Sequence, residues 1–117
     1  MILAILDDLM FTSKLRTTAQ HVGATIAFAR SSQGALEQMR AETPSLVIFD
    51  LNNPRTDAMG TLAAMKADAV LASVQTLGFV SHVDTATIDA ARTAGIGSVV
   101  ARSAFAMNLA DILRATP

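Results

Sequence analysis

Three aspartates stand where chemistry could be done. Asp7 and Asp8 close the apolar run Met1 to Leu6, and Asp50 closes the run Leu46 to Phe49. Both runs are short, bounded by polar residues and partly β-branched. They therefore read as buried strands of a parallel sheet, whose carboxyl ends gather ligands where the strand order reverses. Carboxylates gathered at one edge repel one another unless a cation or a proton offsets them. Mg²⁺ is the natural guest of such a pocket, because it is a hard ion that takes one or two carboxylates, keeps several waters and bridges to phosphate oxygens. Each aspartate also has a plainer reading: Asp7 or Asp8 as the N-cap of a following helix, and Asp50 as the cap of a turn. The conjunction of all three at one edge favours the acidic pocket.

Strand-like and helical runs alternate along the chain and supply the elements that must position these side chains. A first strand over 2–6 leads to a helix over about 10–22, with Phe11, Leu15, Ala19 and Val22 at helical spacing and Gly23 as its stop. A short strand from Thr25 to Ala29 follows. Ser31 and Ser32 are N-cap candidates for a helix carrying Leu36, Met39 and Arg40. Pro44 forces an extended restart into the Asp50 strand. After the turn Asn52 to Arg55, a helix from Asp57 to about Lys66 has Leu62 and Met65 as its apolar face. Val74 to Val80 is the fourth strand, Asp84 or Thr85 caps a helix ending at Gly95, and Ser98 to Ala101 is the fifth strand. Ser103 then caps a last helix with Phe105, Leu109 and Ile112 along one side. Five βα units force a doubly wound α/β sheet with right-handed crossovers.

Bulk properties narrow the function. At 117 residues the chain reads as one domain, 1–117, with no repeat or linker to divide it. Hydrophobic residues make up 51% and charged ones 16%, which excludes disorder and leaves apolar surface for a partner, a homodimer included. Net charge is −1 and the nine Lys and Arg are scattered, so no basic patch invites nucleic acid. The absence of cysteine removes disulfides and thiolate metal sites and fits a reducing compartment, with cytoplasm as the default. The apolar start is too short for a membrane span or a signal peptide.

The spacing from Asp7 and Asp8 to Asp50, the segment Phe49 to Pro54 with its Asp-x-Asn-x-Pro pattern, Ser81 at the end of the fourth strand, and Ala94-Gly95 before a strand ending at basic Arg102 resemble the receiver domain of two-component response regulators. The resemblance spans the whole chain. It implies a flavodoxin-like sheet in the order 2-1-3-4-5 with helices on both faces, which sets the first and third strands side by side. It further implies that Asp50 accepts a phosphoryl group from a kinase phosphohistidine. Asp8, Asp7 acting through water, Asp50 and the backbone carbonyl of Asn52 would hold Mg²⁺, and Ser81 and Arg102 would contact the phosphoryl group. Positioning and charge neutralisation supply nearly all of such catalysis. The implied partners are a sensor histidine kinase or a downstream signalling protein.

Departures from the family pattern matter as much. Arg102 stands in place of a Lys and is a planar fork that could clamp Asp50 bidentately without any phosphate. Ser103 replaces a Pro whose preceding bond is cis, so a trans bond is expected. Val99 replaces a switching aromatic, Ala58 replaces a Gly, and one residue of loop length decides whether Val80 or Ser81 holds the switch position. His82 is a gate or proton donor near the phosphoryl group, or a solvated loop residue. Gly95-Ile-Gly97 precedes a strand and is no dinucleotide fingerprint. Two function classes follow: a phosphorylated receiver, not an enzyme beyond phosphotransfer and slow self-dephosphorylation, and a phosphorylation-independent pseudo-receiver acting as a protein-interaction module. A Mg²⁺-dependent phosphate-ester enzyme is a weaker third, with His82 as its only evident general acid.

Overall fold

The computed structural model describes residues 1–81 and 83–115. In chain order the elements are β1 (Ile2–Ile5), α1 (Leu9–Val22), β2 (Ile26–Ala29), α2 (Ser32–Ala41), β3 (Leu46–Asp50), α3 (Ala58–Ala67), β4 (Gln75–Val80), α4 (Thr85–Thr93), β5 (Ser98–Ala101), α5 (Arg102–Met107) and α6 (Leu109–Ala115). Short 3₁₀ turns at Pro54–Thr56 and Leu71–Ser73 lead into α3 and out toward β4. All strand pairs are parallel and the sheet order is β2-β1-β3-β4-β5, so β1 and β3 are neighbours, in register Ile5 to Phe49. No helix among the described residues is long and apolar enough to cross a membrane.

The strands are apolar on both sides because both sides are covered. Along β1 and β3, Leu3, Ile5, Val47 and Phe49 pack with Ala35 and Met39 of α2, Leu62 and Met65 of α3 and Ala91 of α4. The alternate residues Ile2, Ala4, Leu46 and Ile48 pack with Leu15 and Ala19 of α1, Phe105 of α5 and Leu109 and Leu113 of α6. The two-residue strand period thus sorts one apolar run into two cores. The helical spacings expected for α1 and α3, and the core roles of Met39 and Met65, are those observed.

The caps follow side-chain chemistry. Asp8, Ser31, Asp57 and Asp84 each accept a backbone N–H in the first turn of α1, α2, α3 and α4. Gly23 ends α1 in the left-handed conformation, φ 75°. The last helix differs from expectation. Ser103 does not cap it; α5 begins at Arg102 directly from the extended Ala101, with no side-chain cap, and Ser103 lies inside it. Asn108 then divides α5 from α6: its amide and its own N–H both donate to the Ala104 carbonyl, at 2.8 and 3.0 Å, and its backbone leaves the helical region. Asparagine competes in this way with a continuing helix. Leu109 and Leu113 of α6 are buried in the core.

Gly78 marks the tightest place in β4. A Cβ there would lie 2.5 Å from Leu51 Cδ1 and 2.8 Å from Ile96 Cδ1. Gly78→Ala is predicted to lower stability by about 1–3 kcal/mol through overpacking. Denaturant unfolding checks this, with the midpoint falling and the slope unchanged.

Candidate functional site

Asp50 is the last residue of β3, and strand alternation gives it the side of Leu46 and Ile48, toward α1 and α5. Its side chain is only 6% exposed. A carboxylate so enclosed requires partners. Its Oδ1 accepts the Asn52 N–H at 3.2 Å, and its Oδ2 lies 3.5 Å from Arg102 Nη2.

Arg102 does not form the bidentate clamp that its fork permits. It makes one long contact to Asp50, and its guanidinium carbon sits 5.1 and 5.0 Å from the ring centroids of Phe11 and Phe79. Those rings stack on each other at 5.1 Å, and Phe79 stacks on Phe105 at 4.7 Å. The aromatic faces attract the cation and fix its height above the sheet. The guanidinium is therefore shared between Asp50 and the rings. The bond between Arg102 and Ser103 is trans, as serine at that position predicts.

The register of Ile5 with Phe49 brings the β1 turn level with Asp50. Asp8 takes its plainer role: its Oδ1 caps α1 through the Phe11 N–H at 3.0 Å. Asp7 is paired with groups that sequence reading left out. Arg55 Nη2 lies 3.0 Å from Asp7 Oδ2, and the Asn53 amide donates to Asp7 Oδ1. The signal for this was present in the turn Asn52 to Arg55, which carries a cation and two amides beside the aspartates. Which of them turns inward depends on the loop path, which spacing does not fix.

Val80 and Ser81 separate cleanly. Val80 is buried in the core in register with Ala101, so Ser81 is the residue level with Arg102. Ser81 borders a shallow hollow with Phe11, Arg102, Ser103 and Ala106 rather than the carboxylate cleft. Its N–H donates to Asn52 Oδ1 at 2.7 Å, while Asn52 Nδ2 donates to Asp84 Oδ2 at 2.9 Å. The Asn52 side chain thus joins the end of β3, the turn after β4 and the cap of α4. The role considered for His82 lies outside the described residues.

Asp7, Asp8, Asp50, Asn52, Asn53, Pro54, Arg55 and Arg102 line one open cleft of about 530 Å³. The three predicted carboxylates do share a site, with two guanidiniums among them. Carboxylate oxygens suit a hard divalent cation. Among the described residues no three acidic or histidine side chains converge closely enough to enclose a metal. A donor set of this kind fits Mg²⁺, which keeps much of its water, better than it fits an ion that needs a full protein cage.

The architecture is that of response-regulator receiver domains. A response regulator from Hahella chejuensis superposes with a TM-score of 0.85 at 18% identity, over 96% of this chain and 90% of that one. The Vibrio cholerae chemotaxis protein CheY4 gives 0.84 at 16% identity, over 99% and 97%. The receiver domain of the sensor histidine kinase PA1611 from Pseudomonas aeruginosa, which holds a magnesium ion in its active-site cleft, gives 0.83 at 14% identity, over 97% and 93%. At these identities the likeness is one of fold. Neither a family model nor a curated protein matches the sequence.

Asp84 yields a prediction on pH. Hydrogen bonds from the Thr87 side chain and N–H, and from Asn52, hold its carboxyl below the ordinary carboxylate value. A carboxyl depressed in the folded state stabilises above its unfolded pKa of about 3.9, and that contribution is lost as pH falls through the folded value. Asp84→Ala is therefore expected to be less stable than the native protein at neutral pH. The gap should narrow once the pH drops below about 4. Parallel denaturant unfolding at neutral and acidic pH measures it.

Proposed function

We propose that this chain is a receiver module that accepts a phosphoryl group on Asp50 and signals through protein contacts. The observation that carries the reading is the enclosed Asp50 at the carboxyl end of β3, in one cleft with Asp7, Asp8 and Arg102. In the transfer, the P–N bond of a donor phosphohistidine breaks as a P–O bond to the Asp50 carboxylate forms. Further groups are assigned to this step. Asp7, Asp8, Asp50 and the Asn52 backbone carbonyl would hold Mg²⁺, whose chemistry is to offset charge on the phosphoryl oxygens. The magnesium held in the cleft of the Pseudomonas neighbour supports that choice of ion. Arg102, already tethered above Phe11 and Phe79, supplies a fixed positive charge to the phosphoryl group.

Ser81 is assigned the phosphate-sensing role. Its N–H is bound to Asn52, and Asn52 is bound to the cap of α4, so a pull on the Ser81 hydroxyl reaches α4 through two hydrogen bonds. The exposed face near α4 and α5 is then the surface that a kinase or a downstream signalling protein reads. A second reading, the phosphorylation-independent module, is favoured by a specific observation. The Asp7 and Asp50 carboxylates already have guanidinium partners, Arg55 and Arg102, from the chain itself.

Intact-mass measurement after incubation with Mg²⁺ and acetyl phosphate is expected to show one added phosphoryl group in the native protein and none in Asp50→Asn. A gain that persists in the variant overturns the assignment of Asp50; no gain in the native protein selects the phosphorylation-independent reading. Arg102 gives a separate expectation. With one long contact to Asp50 and a side chain 40% exposed, it holds that carboxylate weakly. Arg102→Ala is predicted to change Mg²⁺ affinity by less than about fivefold while blunting the conformational response to phosphorylation. Mg²⁺ titration followed by NMR of both forms tests the pair.

A further inference from the structure

We propose that Arg55 is a tethered cation that occupies Asp7 until a divalent ion displaces it, and so sets the metal affinity of the cleft. The inference rests on the receiver reading and deepens it by naming what controls entry to its metal site. Arg55 Nη2 stands 3.0 Å from Asp7 Oδ2, the closer of the two guanidinium contacts in the cleft. With Asn53 on Oδ1, each oxygen of Asp7 already has a protein partner.

The turn that carries Arg55 is built to aim it. The Asn53 side chain does two things at once: its Oδ1 accepts the Arg55 N–H at 3.0 Å, and its Nδ2 donates to Asp7. One amide thus fixes the backbone of the cation and the carboxylate that receives it. Below, the buried Thr56 donates its hydroxyl to the Asn53 carbonyl at 3.0 Å. Asp57, at φ 46°, ends the turn and caps α3. The arginine therefore swings from a rigid base, and its position on Asp7 is set by the turn rather than found by chance.

The two arginines differ in how easily they leave. Arg102 is gripped by two aromatic faces and is 40% exposed. The Arg55 side chain is 78% exposed, against 17% for Asp7. Releasing Arg55 returns a guanidinium to water at little cost, because exposed ion pairs are weak and entropically unfavourable to hold. A divalent ion entering the cleft meets the Arg55 charge as a repulsion, and gains Asp7 only when that charge moves away. The cleft is therefore poised between its own cation and an external one.

Calorimetric Mg²⁺ titration of the native chain, Arg55→Gln and Arg55→Lys at one ionic strength tests this. Arg55→Gln is expected to bind Mg²⁺ roughly three- to tenfold more tightly, and Arg55→Lys to stay close to the native protein. Because Arg55 is exposed, melting without metal should be nearly the same in all three, which verifies the fold of each variant. NMR of the Asn53 side-chain amide supplies a second readout: the native resonance moves on Mg²⁺ addition toward its position in metal-free Arg55→Gln. Equal Mg²⁺ affinity in the native chain and Arg55→Gln overturns the role of Arg55 while leaving the metal site in place. Failure of every form to bind Mg²⁺ overturns both this inference and the metal-dependent part of the receiver reading.

Discussion

A carboxylate at the end of a strand buried on both faces must be compensated where it stands, and the upper edge of this sheet is arranged around that requirement at Asp50. Its side chain is almost wholly withdrawn from water, so the Asn52 N–H serves one oxygen there and the Arg102 guanidinium lies, at longer range, beside the other. Arg102 stands at this edge as the first residue of α5, which starts directly from β5 without a loop. It keeps its height because Phe11, Phe79 and Phe105, from three separate elements, build an aromatic floor beneath it. The local charge thus constrains the ends of β3, β4 and β5 and the start of α1.

Much of the fold was legible in the sequence because parallel strands buried on both faces are continuously apolar and their covering helices are not. The runs Met1 to Leu6 and Leu46 to Phe49 could hardly be anything else, and Phe11, Leu15 and Ala19 declared the inner face of α1. Strand order was not legible in that pattern and came from the family resemblance. Asn108 was missed because a helix-breaking side chain acts through a bond to its own backbone four residues earlier, where apolar spacing carries no mark of it.

The site was more legible in its strand-end residues than in its loop. Asp7, Asp8 and Asp50 announce themselves by standing at the ends of strands, whereas Arg55 and Asn53 matter because a turn points them back at Asp7. Residues in strands inherit a direction from the strand, but residues in a loop receive theirs from the loop's own hydrogen bonds. Arg102 was singled out in the sequence while its company was not, since Phe11 and Phe79, whose rings lie under its guanidinium, are distant from it in sequence. Asp8 shows how one residue can answer two readings, because capping α1 uses a single oxygen of a group lining the cleft.

Asn52 gives the edge of the sheet a polarity of its own. Its amide oxygen receives an N–H from Ser81 and its amide nitrogen serves the carboxylate of Asp84, so the two ends cannot exchange without breaking both bonds. An isosteric carboxylate would keep the first partner and repel the second, and an aliphatic side chain would serve neither. The joint between β3, the β4 turn and α4 therefore has a sense of direction, and asparagine is the side chain that fits it: a donor and an acceptor side by side, uncharged, at the reach of a single methylene.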